Sequence, residues 1–323
     1  PPRSTLSSSS AASDVYKRQR LDDGTYHQSR IKGKFRIGGL KSTNPISVGD
    51  RVKLSLEGND YLINEILQRK NYIIRKSVNL SKQVHIIASN IDQAFLIVTL
   101  VSPFTSTGFI DRFLVTAEAY QVPTIIVFNK VDVYDEFDRE YHDEVVKVYS
   151  DAGYECVEVS ALNQQNISLL KERMKDNVTL LSGHSGVGKS TLVNAIDPNL
   201  DLLTQQVSDA HQKGMHTTTF AEMFELDFGG FIIDTPGIKG LGLVEIEDSE
   251  LADYFPEMLA YKGQCKFHNC KHLNEPKCAV KSALDTGEIH PIRYDSYIST
   301  VSYTHLRAHE TDSYLVCRLL LEK

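Results

Sequence analysis

LLSGHSGVGKSTLVNAI, from Leu180 to Ile196, governs how the rest of the chain is read. A short apolar run leads into Gly183-His184-Ser185-Gly186-Val187-Gly188-Lys189-Ser190, and a helical pattern follows. The eight residues fit G-x-x-x-x-G-K-[ST] in full, with the strand before and helix after that a phosphate-binding loop requires. Glycines there let backbone N–H groups turn inward around phosphate oxygens, and the helix start adds the positive end of its dipole. The pattern assigns Lys189 to the β- and γ-phosphates and Ser190 to a Mg²⁺ ion, with Thr191 beside it in the first helical turn.

This loop arrives late in the chain. TIIVFNKVDVYDEF, Thr124 to Phe137, has already passed, and it carries Asn129-Lys130-Val131-Asp132 at a strand end. An NKxD sequence sets its Asp carboxylate against the N1–H and amino group of guanine. Adenine has no matching donor pair, so the motif argues for GTP over ATP. Ser160-Ala161, after the strand-like ECVEV, looks like the companion loop that contacts guanine O6 through backbone N–H. Asp234-Thr235-Pro236-Gly237 follows GFIID, so Asp234 can hold Mg²⁺ through water and the Gly237 N–H can sense the γ-phosphate. Upstream of it, KGMHTTTF offers Thr217, Thr218 and Thr219, and Thr218 is the choice for capping Mg²⁺ in the triphosphate state. The order is NKVD, SA, phosphate loop, TTT, DTPG. Relative to an ordinary GTPase this is a circular permutation, in which every strand keeps its place in the sheet while the chain ends move.

Composition allows several domains. The chain has 323 residues, 41% hydrophobic and 24% charged, ordinary for a globular protein. No apolar run reaches the ~20 residues that span a bilayer, so no membrane partner is expected. The formal charge is -7 but uneven: Arg20 to Asn90 holds thirteen Lys/Arg against six Asp/Glu, a local +7, which leaves -14 for the rest. A basic segment on an acidic protein points to a polyanionic partner for that segment.

Residues 1–19 and 301–323 resemble translated sequencing-adapter read-through and are set outside the fold, with the expectation that a first strand and part of a last helix are lost. A lost first strand would expose a barrel edge. Between 20 and 84 the short alternating runs SRIKGKFRI, DRVKLSL, YLINEIL and YIIRKS read as an OB-like β-barrel that touches RNA. Over 85–246 strands alternate with helices, predicting a mostly parallel sheet covered on both faces. The tail, 247–300, is helical and carries Cys265-x4-Cys270-x-His272-x5-Cys278. Three thiolates and an imidazole make a closed tetrahedral set for a structural Zn²⁺, one per chain, with no position left for water. His268 is the less suitable histidine, and Cys156 reads as an ordinary strand residue.

With the permuted order, the barrel and this Cys/His spacing together, residues 21–300 resemble the RsgA (YjeQ) family, bacterial ribosome small-subunit-dependent GTPases. The resemblance implies an OB-fold, a permuted GTPase domain and a zinc domain in a cytoplasmic, monomeric protein that binds GTP or GDP with Mg²⁺. It further implies binding to the 30S subunit and its 16S rRNA late in assembly, with slow GTP hydrolysis accelerated by the subunit. Ile238, after DTPG, is aliphatic and cannot orient water as a glutamine would. The resemblance points instead to His216, which with Lys189 and Thr218 makes the expected catalytic set. Two other classes compete. An RNA-binding switch, in which hydrolysis is incidental, separates on whether small subunits raise turnover. A P-loop ATPase or small-molecule kinase is opposed by NKVD.

Overall fold

The computed structural model describes residues 5–7, 16–31, 46–58, 60–76, 84–200, 222–234, 246 and 249–302. Five short strands, β1 (Thr5–Ser7), β2 (Tyr16–Arg20), β3 (Tyr26–Ile31), β4 (Arg51–Glu57) and β5 (Asp60–Ile66), close into a barrel in the order β1-β2-β3-β5-β4. Alternation does the sorting: Val52, Leu54 and Ile63 point inward with Leu21 and Ile46, while Arg51 and Lys53 face solvent. The parallel pairing of β3 with β5 completes a Greek-key ring of the OB-like kind.

Residues 1–19, expected outside the fold, supply β1 and most of β2. The anticipated open edge is filled, because Thr5–Ser7 pairs antiparallel with both β2 and β4. Ladder hydrogen bonds come from the backbone, so a three-residue strand can close an edge without a matching side-chain pattern.

The fourth run assigned to the barrel lies elsewhere. β6 (Tyr72–Lys76) pairs with β7 (Val84–Ser89) as a separate two-stranded sheet. Ile73 packs with Ala88, Ile91 and Val48 into the core of the next domain, which pulls the hairpin away from the barrel. The expected boundary at residue 84 therefore cuts a hairpin. Its junction is tight. Gly49 has φ +86°, and an added Cβ would lie 2.0 Å from the Ser89 carbonyl oxygen, so only glycine fits. Asp50, fully buried, accepts from Arg69 Nε and Nη2 at 2.6 Å each and from the Ser89 hydroxyl at 2.6 Å.

The central sheet contains β8 (Gln93–Val98), β9 (Thr124–Asn129), β10 (Glu155–Val159), β11 (Val178–Ser182), β12 (Glu222–Glu225) and β13 (Phe231–Asp234), in the order β10-β9-β8-β11-β13-β12. All pairs are parallel except β12 with β13. Burial on both faces explains the continuous apolar runs. Leu96, Val98, Ile126 and Phe128 meet α1 (Thr107–Ala119) and α2 (Glu136–Asp151) through Leu114, Ala117, Val145 and Tyr149. Phe95, Ile97, Val127 and Leu181 meet α3 (Ile167–Met174) and α4 (Lys189–Ile196) on the other face.

Past residue 249 there are only helices among the described residues: short turns at Leu251–Tyr254 and Pro256–Leu259, then Ala279–Thr286 and residues 291–302. Their core of Leu251, Phe255, Met258, Val280 and Tyr297 reaches Val115 of α1. Arg293, 1% exposed, anchors this docking. Its guanidinium contacts Asp111 of α1 and donates to Glu257 at 2.6 and 3.2 Å, with the Phe255 ring 4.8 Å away. Asp111 and Glu257 supply the counter-charge that lets the Arg293 guanidinium be buried, although Asp111 Oδ2 is buried without a hydrogen-bond partner. On the other side, Arg20 of the barrel donates twice to Glu225 of β12, at 2.8 and 2.7 Å, and Tyr26 adds a third bond at 2.8 Å. Among the described residues no helix is long and apolar enough to cross a membrane.

Candidate nucleotide and metal sites

Parallel strands deliver their following loops to one edge of the sheet, where α/β proteins bind ligands. β11 ends at Ser182 and the phosphate loop begins at once. Three of its glycines have positive φ, at Gly183 (+144°), Gly186 (+89°) and Gly188 (+91°). At Gly183 a Cβ would sit 2.4 Å from the Ile97 carbonyl oxygen, and at Gly188 2.6 Å from Asn129 Nδ2. The loop is therefore pressed against β8 and β9, and side chains are excluded at these points. Val187 is buried beneath it, while Ser185, Ser190 and Thr191 are exposed along its rim. Lys189 opens α4, and its Nζ lies over the loop, donating to the carbonyls of Gly183 at 2.6 Å and His184 at 2.8 Å.

β9 brings NKVD to the same place. The buried Asn129 donates through Nδ2 to the Val187 carbonyl at 2.9 Å and accepts through Oδ1 from the Ala161 N–H at 3.3 Å. One side chain thus ties together the phosphate loop, the strand end of β9 and the Ser160-Ala161 loop after β10. Lys130, in the left-handed region at φ +65°, donates to the Gly186 carbonyl at 2.9 Å and to Ser102 at 2.8 Å. Val131 is buried beneath this turn, and Asp132 follows, half-buried, in the 3-10 turn Val131–Val133. The Ser160 backbone pairs in both directions with Gln165, and its hydroxyl accepts from Asn163 N–H at 3.0 Å, which fixes the loop.

Asp234 closes β13, with its Cα in register with Leu181 of β11, on the phosphate-loop edge. His216, Thr217, Thr218, Thr219 and Gly237 lie outside the described residues, as does Ile238.

One contributor carries no motif. The loop after β8, residues 99–106, leans on the phosphate loop: Thr105 Oγ1 contacts His184 Nε2 at 2.6 Å, and Pro103 stands 3.3 Å from where a Gly186 Cβ would be. Thr99 N–H donates to Thr105 Oγ1, and the Thr99 hydroxyl donates to the Pro103 carbonyl, so the loop is internally braced. The only trace in sequence is the Ser/Pro/Thr-rich turn SPFTST after a buried strand.

In the tail, Cys265, Cys270, His272 and Cys278 present their Sγ and Nδ1 atoms within 4.8 Å of one another. His272 Nδ1 lies 3.3 Å from Cys278 Sγ and 3.6 Å from Cys265 Sγ. The Ala279 N–H points at Cys265 Sγ from 3.3 Å, a second-layer donor suited to a thiolate. Glu275 collects the N–H groups of Lys271, Leu273 and Asn274, and Tyr294 and Tyr297 hold the His272 and Lys271 carbonyls at 2.6 Å each. Without an ion, burial pushes the Cys270 thiol up to about 12 and lowers His272. A dication would reverse that preference for the thiols. The group can hold one metal ion.

The profile of the RsgA GTPase family matches residues 66–244. The chain belongs to the RsgA GTPase family. Small ribosomal subunit biogenesis GTPase RsgA of Christiangramia forsetii is 55% identical over 283 residues, covering 86% of this chain and 90% of that protein. The protein of the same name in Bacteroides fragilis is 52% identical, covering 87% and 91%. Among solved structures, YjeQ from Thermotoga maritima superposes with a TM-score of 0.77 at 36% identity, covering 94% of this chain and 98% of that one. YloQ, described as a circularly permuted GTPase, superposes with a TM-score of 0.71 at 29% identity, covering 95% and 96%. The permuted order read from the motifs matches the circular permutation described for YloQ, and membership of a GTPase family implies Mg²⁺ with GTP.

Proposed function

We propose that this chain hydrolyses GTP to GDP and phosphate in biogenesis of the small ribosomal subunit, and that the 30S particle accelerates the reaction. The observation that carries the proposal is the Asn129 bracket, which joins three motifs written out of order into one cleft. The relatives' shared name supplies the biological setting. In this reading the backbone of Gly183–Ser190 cradles the phosphates and Lys189 turns from its carbonyl partners to the β- and γ-oxygens. Asp132 reads the guanine N1–H and amino group, and Ala161 faces O6. Ser190, Thr218 and Asp234 would hold Mg²⁺, which supplies charge neutralisation at the phosphates. Water attacks the γ-phosphorus, the bond to the β–γ bridging oxygen breaks, and the water proton passes to the released phosphate. His216 is the group assigned to orient that water. Turnover of His216→Ala with and without purified 30S particles tests the assignment: the stimulated rate should collapse while GTP affinity holds, and an unchanged rate overturns it.

The same reading takes the Cys/His group as a structural zinc site, since its four donors leave no open position. One zinc per chain by elemental analysis is the expected result, and a metal-free folded protein would refute it. The basic segment Arg20–Asn90, barrel and hairpin together, is the surface assigned to 16S rRNA, so 30S affinity should fall steeply with salt, and a flat response removes that assignment. A monomer in the cytoplasm is expected, which light scattering and cell fractionation check.

A further inference from the structure

Among the described residues ten large apolar side chains are exposed, and five of them are Val101, Phe104, Val133, Phe137 and Leu162. These five fall on the loops that follow β8, β9 and β10 and on the first turn of α2, beside the nucleotide edge. Phe137 is 81% exposed and Phe104 57%. Phe104 stacks on Tyr141, with ring centroids 6.5 Å apart, so the loop after β8 reaches the face of α2. Phe137 and Tyr141 are four residues apart on that helix and share the face. A soluble surface has no reason to concentrate aromatic area in this way unless something covers it.

The charge around the patch selects what covers it. From Val131 to Glu144 the chain carries seven acidic residues, Asp132 to Glu144, against the single Arg139. Arg139 is already engaged, donating to the Val131 carbonyl at 2.6 Å and to Glu158 at 3.2 Å. Glu136, Glu140 and Glu144 are exposed, and Glu140 and Glu144 sit three residues on from Phe137 and Tyr141, on the patch side of α2. A phosphate backbone brought to this face would meet uncompensated carboxylates. A basic polypeptide would instead pair with them, and its Arg or Lys stems would lie on the Phe and Tyr rings.

We propose that the Phe104–Phe137–Tyr141 face docks a basic protein segment of the small subunit, not rRNA. The division of labour follows the charge: the basic segment Arg20–Asn90, barrel and hairpin together, meets RNA and this acidic, aromatic face meets protein. The inference rests on the 30S-binding reading above, and the test separates the two. A photoreactive phenylalanine analogue at position 137, in the full chain with GTP analogue and purified 30S particles, reports what lies against the face, and Leu56 on the barrel serves as a control site. Co-sedimentation of the unsubstituted protein reads 30S binding itself. The expected result is co-sedimentation with a crosslink from 137 to one identified basic subunit protein. Phe137→Glu should also weaken 30S affinity about tenfold and leave subunit-free GTP turnover unchanged. Co-sedimentation with a crosslink to rRNA, or with no crosslink from 137, overturns the protein-docking face alone. Failure to co-sediment overturns both readings.

Discussion

Replacing Asn129 by alanine isolates the bracket on which the nucleotide cleft depends. The side chain is 1% exposed, and its two bonds satisfy the Val187 carbonyl and the Ala161 N–H. Truncation leaves both backbone groups without their partner in a site too tight for free access of water. Each such loss costs about 1–3 kcal/mol, so the pair amounts to about 2–6 kcal/mol. The lost bonds tie loops together and do not touch one particular phosphate, so the loss should appear equally for GTP and GDP. If half of the lower figure reaches binding, affinity falls about fivefold, and the full lower figure gives about thirtyfold. The assay is titration of a fluorescent GDP and GTP analogue into Asn129→Ala, with circular dichroism to show that the protein is folded. Asp132→Ala is the contrast, because it should erode discrimination against ATP while the phosphate loop keeps its shape. A folded Asn129→Ala with wild-type affinity for both nucleotides would refute the bracket.

Three further outcomes follow from the same geometry. Gly49→Ala should sharply lower the melting temperature or yield insoluble protein, since its Cβ meets the Ser89 carbonyl at 2.0 Å, whereas Gly58→Ala, at φ +65° with open space around it, should cost only the backbone strain of about 1–2 kcal/mol. Arg293→Met should destabilise the chain by about 3–5 kcal/mol in thermal unfolding, because Asp111 and Glu257 are left buried without a counter-charge. Adding Asp111→Leu and Glu257→Leu should restore most of that loss, and a failure of Arg293→Met to destabilise would contradict the docking described. Chelation should unravel residues 262–278 to proteolysis. Because burial holds the Cys270 thiol proton up to about 12, metal binding must expel protons, so affinity should rise with pH and the ion should be released on acidification.

How much of this was legible depended on whether a residue's role is local. The phosphate loop, NKVD and the Cys/His group are short spacings whose chemistry is carried by the residues themselves. The buried strands announced themselves as apolar runs because both sheet faces are covered. The bracket was hidden, since the partners of Asn129 are backbone atoms 32 and 58 positions away and backbone atoms leave no mark in sequence. The Arg20–Glu225 clasp spans 205 positions and the Arg293–Asp111 pair 182, and isolated charges on otherwise ordinary elements look like solvent-facing ones. Alternation alone puts the run YIIRKS in the barrel, since it tells which face is apolar but not which core it will meet. Thr5–Ser7 shows no periodicity for a related reason, because a three-residue strand held by backbone bonds on both sides needs no pattern.

The permutation also decides where the neighbouring domains can pull. In the sheet the phosphate-loop strand β11 lies between β8 and β13. The chain enters the GTPase domain at β8, directly from the β6–β7 hairpin that carries the barrel, and leaves after β13 on its way to the helical tail. Both junctions therefore fall on the two immediate neighbours of β11, each about 4.8 Å from it. In an unpermuted order those two strands are internal, and appended domains attach elsewhere. Each domain also has a side-chain tie to the sheet or its cover. The barrel holds β12 through Arg20 and Tyr26, and the tail holds α1 through Arg293. α1 in turn begins right after the braced loop whose Thr105 touches His184 of the phosphate loop. A displacement of the phosphate loop is thus one contact from the element that seats the tail, and β13, which ends in Asp234, is one strand from the element that seats the barrel. The chain was reopened on either side of β11, so the barrel joins through β8 and Glu225 at the edge where the strands begin, while the tail follows β13, which ends on the nucleotide edge.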